Sequence, residues 1–277
     1  DLSGFSAYRK IMDNANFSNV NLEGKRMRQS SFVGANFSNA NLKGGERSDA
    51  NFSNANFEGT DLTGADLQDS DLSNTNLHLA TITRAWFNTG TIWPNGFDYL
   101  SSGAWGPNVD FRNLDLSSFD AHTPGTLDLR QSNFEGVNLD GKRLRANFTG
   151  ANFRNASLTG NTSDKAKFNN ANLSGANLSG RNLSGATLTG AIYNQNTIWP
   201  DGFDQVAAGA VLNHFPTDLN ATSVLVLEEN QPVGTIIGEF NATDPDANSS
   251  ISYNFVSGEN NNSLFTLETN GTLSTAI

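Results

Sequence analysis

Every fifth residue from Met12 to Ile92 is large and apolar, with Arg47 the one exception among seventeen: Met12, Phe17, Leu22, Met27, Phe32, Phe37, Leu42, Arg47, Phe52, Phe57, Leu62, Leu67, Leu72, Leu77, Ile82, Phe87 and Ile92. Two residues earlier the side chain is usually small, as at Ala15, Ala35, Ala50, Ala65 and Ala85, and between the two stands mostly Asn or Asp. Neither a helix of period 3.6 nor a flat strand of period 2 brings every fifth residue to one side. Another kind of coil is therefore needed.

The unit A-(N/D)-(L/F)-x-x resembles the pentapeptide-repeat family over about residues 10–200. The resemblance implies a right-handed quadrilateral β-helix, four units to a turn, with coils about 4.8 Å apart and with the Leu or Phe and the small residue pointing inward. A narrow tube has room for one large side chain per wall if the other inward residue is small. Each buried Leu or Phe then contributes roughly 1.5–3 kcal/mol. A second block runs Leu129, Phe134, Leu139, Leu144, then shifts by one to Phe148, Phe153, Leu158, Ser163, Phe168 and onward to Ile198. It reads as a copy of the first. VNLEGKRMR (20–28) matches VNLDGKRLR (137–145), and TIWPNGFD (91–98) matches TIWPDGFD (197–204). Arg47 and Ser163, the polar centres, are expected to be the same bulge or short loop, since an unpaired buried Arg is costly.

The expected organisation is a β-helix block over 1–98 closed by IWPNGF, a Gly/Ser-rich linker over 99–110, and a second block over 111–204 closed by IWPDGF, each of about four coils. Trp93 and Trp199 read as plugs over open stack ends, or as platforms for a sugar or a partner protein.

From about Pro216 the pattern changes to alternating short runs, SVLVL, GTIIGEF, ISYNFV, SLFTL and GTLST, which reads as a β-sandwich. Over 213–277 the run NHFPTDL, then EENQPVGTIIGEFNATDPD, SYNFVSG and LFTLETNGTLSTA, is similar to the first part of a cadherin-like repeat, so 205–277 is expected to be an incomplete cadherin/Ig-like sandwich and the whole chain all-β. That resemblance implies calcium, with Glu229, Asp244 and Asp246 as ligands and Asn213 where the inter-repeat linker supplies Asp or Asn. Ca²⁺ takes six to eight hard oxygens, of which this segment offers about half. DPDAN as an ordinary Asx turn, with Glu229 a solvated acid, is the alternative. Five of the seven strands of such a sandwich can be counted. Either the chain is part of a longer one, or a neighbouring chain donates strands by β-augmentation.

Charge and chemistry narrow the function. The formal charge of −11 divides as −3 over 1–98, zero over 99–204 and −8 over 205–277, where no base occurs. This favours no nucleic-acid partner. There is no cysteine, and the three histidines, His78, His122 and His214, lack metal-ligand spacing. Asp61, Asp66 and Asp71 fall on successive walls and cannot form one site. No nucleophile elbow, P-loop or dinucleotide fingerprint is present, so no enzyme is expected. Lys25, Arg26, Arg28, Lys142, Arg143 and Arg145 could align to hold an anionic polymer, or form a repeated solvated patch.

No run reaches 18 apolar residues, and DLSGFSAYRK does not read as a signal peptide, so a leader has been removed or the chain is a fragment. The expectation is a non-catalytic structural or adhesive module of a secreted or cell-surface protein, making protein contacts or self-associating, with a weak calcium site. The alternative that the first resemblance implies is a DNA-mimicking inhibitor of a type II topoisomerase such as gyrase. That reading needs acidic walls and a dimerising C-terminal helix.

Overall fold

The computed structural model describes residues 4–121, 127–160, 165–222, 225, 227, 231–246, 251–255 and 262–276. They form two compact units, 1–211 and 212–277.

In the first unit, parallel bridges join Ser6 to Arg26, Ile11 to Ser31, Asn16 to Asn36 and Asn21 to Asn41, and the same step of twenty recurs through Asp61 to Thr81. Four pentads make one turn, and each wall contributes one bridge per coil. The corner is a hydrogen-bonded turn, in which the N–H of Ala35 donates to Phe32 O at 3.0 Å and that of Ala40 to Phe37 O at 2.9 Å. Two residues after most central Leu or Phe residues the backbone is left-handed, as at Asn14 (φ 58°), Asn39 (φ 56°), Asn54 (φ 61°) and Gly64 (φ 67°). A type II turn requires this, and Asn, Asp and Gly tolerate it best. The last letter of the repeat is therefore set by backbone geometry rather than by exposure alone.

Inside, the central residues stand in files. Phe17, Phe37 and Phe57 stack at 5.1 and 5.5 Å, and Phe32 stacks on Phe52 at 5.3 Å. Leu22, Leu42, Leu62, Leu67 and Leu72 are fully buried. At Thr60 and Ser70 the small inward residue carries a hydroxyl that donates to the carbonyl of a central residue one coil below, Thr60 to Phe37 O at 2.7 Å and Ser70 to Arg47 O at 2.7 Å. A buried hydroxyl is thereby satisfied at no cost in volume.

Arg47 corrects an expectation. It lies inside the tube and is fully buried, in the file between Met27 and Leu67, instead of opening a bulge. Its guanidinium donates to Leu22 O at 3.2 Å and to Gly44 O, so backbone carbonyls take the place of an acidic partner. Its Nε has no partner. Burial pulls its pKa down to about 10. Ser163 lies outside the described residues. A second buried cation, Arg181, occupies a small-residue position and donates to Leu158 O (2.6 Å), Lys142 O (2.8 Å) and Thr159 O (3.0 Å).

The two blocks form one stack. Trp86 bridges Trp105, whose ring it meets at 5.0 Å, and Asp110 bridges Asn133. Phe111 stacks on Phe134 at 4.3 Å, and a side chain at Gly106 would collide with the ring of Phe87. Residues 99–110, expected as a linker, thus supply a wall of the next coil, with Ala104, Trp105 and Val109 buried. IWPNGF does not close the first block: Trp93 packs on Phe87, Phe97 and Tyr99 while the chain continues past it. The short strands β1 (Leu127–Asp128) and β2 (Ala146–Asn147) pair in parallel. Around them the bridge step drops to 19, from Asn133 to Asn152 and Asn138 to Ser157, before returning to 20 from Asn147 to Lys167. The one-residue shift at Leu144 is thereby absorbed in a single coil. The stack runs on through β3 (Ile192–Tyr193) to Val211 of β4 (Val211–Leu212), whose N–H donates to Ala191 O at 2.7 Å.

In the second unit, β5 (Thr217–Ala221), β6 (Ile236–Thr243), β7 (Phe265–Leu267) and β8 (Thr272–Thr275) form an antiparallel sheet in the order β5-β6-β8-β7. Two details differ from the sequence reading. Residues 251–255 of ISYNFV are not a strand, and TDLNA, which carries no alternation, is one. Pairing with β6 makes β5 a strand, despite a register break and the left-handed Asp218 (φ 55°). The other run, SVLVL, lies largely outside the described residues.

Candidate functional site

The antiparallel pair β5 and β6 sets Thr217 opposite Thr243, so the residues just before β5 meet those just after β6. This places Asn213 and His214 beside Asp244 and Asp246. The backbone N–H of His214 donates to Asp246 Oδ2 at 2.6 Å, and its ring Nδ1 lies 2.8 Å from Asp246 Oδ1. Asp246 N–H donates to Asp244 Oδ1 at 2.8 Å, an Asx turn, and Asn213 Nδ2 donates to His214 O at 3.1 Å. The hydrogen bonds from His214 hold the Asp246 carboxyl below the usual carboxylate range. His214, which sequence reasoning left without a partner, is the residue that organises this corner. Its one sequence signal is its place next to Asn213.

Of the four residues named from sequence, Asn213, Asp244 and Asp246 are brought into one corner, and Glu229 lies outside the described residues. The donor set tests poorly as a complete calcium cage. Both Asp246 oxygens are engaged by His214, and the three described side chains supply fewer oxygens than the six to eight Ca²⁺ needs. Among the described residues, no group of three or more His, Asp or Glu is placed to hold a metal.

The other candidate clusters resolve as follows. Asp61, Asp66 and Asp71 sit in three different wall files, bridged to Asn41, Glu46 and Asn51. The basic motif is partly neutralised by the coil above it, since Arg26 pairs with Glu46 at 2.9 Å and Arg28 with Asp49 at 3.3 Å. Lys43 likewise pairs with Asp61 at 3.1 Å. One wall carries an amide ladder, in which Asn76 donates to Asn56 at 2.7 Å, Asn56 to Asn36 at 3.1 Å and Asn36 to Asn16 at 3.4 Å. No described helix is long and apolar enough to cross a membrane.

With coils of twenty residues and inward files of Leu and Phe in view, the comparisons with known families agree. Eight copies of the pentapeptide-repeat model match residues 11–45, 48–85, 128–160 and 164–192. The chain is a pentapeptide-repeat protein. A cadherin domain model matches residues 223–277 of this repeat protein. Among solved structures, the repeat protein alr5209 from Nostoc PCC 7120 is 32% identical over 35% of this chain and 84% of its own, with a TM-score of 0.34. HetL, a repeat protein involved in heterocyst differentiation regulation in Nostoc sp. strain PCC 7120, is 22% identical over 66% of this chain and 82% of its own (TM-score 0.24). QnrB1, a plasmid-mediated fluoroquinolone resistance protein, is 15% identical over 74% and 92%, with a TM-score of 0.27. No curated protein matches the chain.

Proposed function

We propose that this pentapeptide-repeat protein is a structural or adhesive module of a secreted or cell-surface protein, in which the β-helix is a stiff spacer and the cadherin-type unit makes protein contacts. The observation that carries this reading is an apolar groove of about 340 Å³ on the sheet of the second unit, lined by Leu219, Phe240, Tyr253, Phe255, Leu267 and Leu273. Among the described strands, β5 and β7 are the sheet's edges. An edge beside an apolar groove accepts an added strand, with main-chain bonds giving affinity and the groove taking alternate side chains. Calcium enters this reading only as the family resemblance implies it: Asn213, Asp244, Asp246 and Glu229 would form part of a donor set that other oxygens must complete, with affinity on the order of 10⁻⁴–10⁻³ M as in extracellular modules.

Sedimentation velocity at rising protein concentration, with and without millimolar calcium, tests the proposal. Self-association strengthened by calcium and weakened by Phe255→Ser supports it. A monodisperse monomer under every condition overturns strand donation between copies, and calorimetry with no heat at several millimolar calcium removes the metal. The topoisomerase alternative asks for acidic walls, whereas the ion pairs Arg26–Glu46, Arg28–Asp49 and Lys43–Asp61 self-neutralise this surface. A gyrase supercoiling assay at stoichiometric protein is expected to show no inhibition.

A further inference from the structure

A groove of about 700 Å³ lies on the β-helix and is used by none of the arguments above. One side is the 3₁₀ turn Leu77–Leu79 with the wall that follows it, and the other is the loop Pro94–Asp98. Its size falls within the ~300–1,000 Å³ of small-molecule sites. Its lining is mixed. Phe97 provides an apolar face, while the hydroxyls of Thr81, Thr83 and Ser102, the imidazole of His78 and the carboxylate of Asp98 provide hydrogen-bonding groups.

The aromatic side is braced. Phe97 stacks on Trp93 at 5.5 Å, and Trp93 stacks on Tyr99 at 5.4 Å with only 4° between the planes. Phe97 is half-buried, so its position is fixed from behind while it borders the groove. The acidic side is braced too: Ser101 donates to Asp98 from both Oγ (2.5 Å) and N–H (3.3 Å), which keeps the carboxylate ionised below its usual range. A held carboxylate accepts hydroxyl protons, and an aromatic face takes the C–H face of a pyranose ring. No Lys or Arg lines the groove, so nothing there would hold a phosphate, sulfate or uronate.

We propose that this groove binds a neutral oligosaccharide, with Phe97 as the stacking platform and Asp98, assisted by His78 and the threonine hydroxyls, as the hydroxyl-binding edge. The internal copy supplies a control. At the matching positions of the second half stand Ser184 for His78, Gln205 for Tyr99 and Ala208 for Ser102, while Phe203 and Asp204 are retained. The second half thus keeps the loop and both threonines, as Thr187 and Thr189, and lacks the imidazole, the Tyr99 ring behind the stack and the Ser102 hydroxyl.

The test is NMR titration of the full chain with cellotriose, maltotriose and tri-N-acetylchitotriose at millimolar concentration. The expected result is binding of at least one, with Kd on the order of 0.1–1 mM. Asp98→Asn and Phe97→Ala then each weaken binding tenfold or more, and Asp204→Asn leaves it unchanged. Should Phe97→Ala fail to fold, Asp98→Asn and the exposed His78→Ala carry the decision. Binding of none of the three sugars overturns the proposal, as does binding that Asp204→Asn weakens as much as Asp98→Asn.

Discussion

The two halves of the β-helix carry nearly the same IWP(N/D)GF sequence and use it to different ends. After the first, the chain climbs through Tyr99 and Trp105, and the Trp86–Trp105 bridge and the Phe111–Phe134 stack carry the column into the next coil. After the second, Gln205 and Val211 stand at the corresponding positions, Val211 is 54% exposed, and the first unit ends there. The motif is therefore a corner rather than a lid. What continues or ends the stack is whether the next dozen residues bring aromatic side chains that refill the tube.

The halves also differ in how they bury a cation. Arg181 satisfies its guanidinium on three carbonyls, while Arg47 leaves Nε unpaired. A charge in a dry interior is tolerated when backbone oxygens replace water, and the tolerance is graded by how many do so.

This comparison can be broken at several strengths. Leu67→Asp places an uncompensated charge in a full file, and a loss of more than about 4 kcal/mol is expected. Because the column is continuous, circular dichroism should show both halves destabilised. A second half that melts as before would restore two separate blocks. Trp105→Ala removes the joint and should cost about 3–5 kcal/mol by denaturant titration. An effect under ~0.5 kcal/mol, the size expected for an exposed site such as Val211→Ala, would return 99–110 to a linker.

Smaller and opposite in sign are the two arginines. Arg181→Met should lose about 1–3 kcal/mol, because the carbonyls of Leu158, Lys142 and Thr159 each lose the bond they take from its guanidinium. Arg47→Met should gain about 1 kcal/mol, since it removes a desolvated charge and Leu22 O keeps its bond from Lys25 N–H at 3.1 Å. Equal effects would mean that the carbonyl count does not decide the matter.

The smallest effect is at Asp66, whose carboxyl burial pushes above the usual range although Gln68 donates to it. A raised folded pKa means the folded state pays for the charge at neutral pH. That cost fades as pH falls through the folded value and is gone below the unfolded one. Asp66→Asn should therefore raise Tm slightly at pH 7 and have no effect near pH 3. A gain that persists in acid would place its cause outside ionisation.

The period of five, the inward files and the single deletion near Leu144 were legible because each rests on a side chain that must be buried. Three things were not. Arg47 broke the apolar pattern, and the rule against buried charge concealed that carbonyls can serve as its partners. Trp105 falls out of register with the pentads, so the joint between halves carried no periodic signal. The last position stands only as x in the unit A-(N/D)-(L/F)-x-x, although the alternation of Asn, Asp and Gly there already encoded the left-handed turn. In the second unit, β5 takes its form from pairing with β6 rather than from its own TDLNA, and the bond between His214 and Asp246 spans 32 residues, beyond any local pattern.

Continuity of the column at residues 99–111 is the claim on which the comparison rests, and amide hydrogen exchange reads it directly. The N–H of Phe87 donates to Trp105 O (3.0 Å), that of Trp105 to Ala85 O (2.7 Å) and that of Phe111 to Asn133 O (2.8 Å). These three amides should be protected, and should open with the same denaturant dependence as Phe37 and Phe153 in the interiors of the halves. Exchange of Trp105 and Phe111 at the rate of an open loop, with Phe37 and Phe153 still protected, would contradict the account.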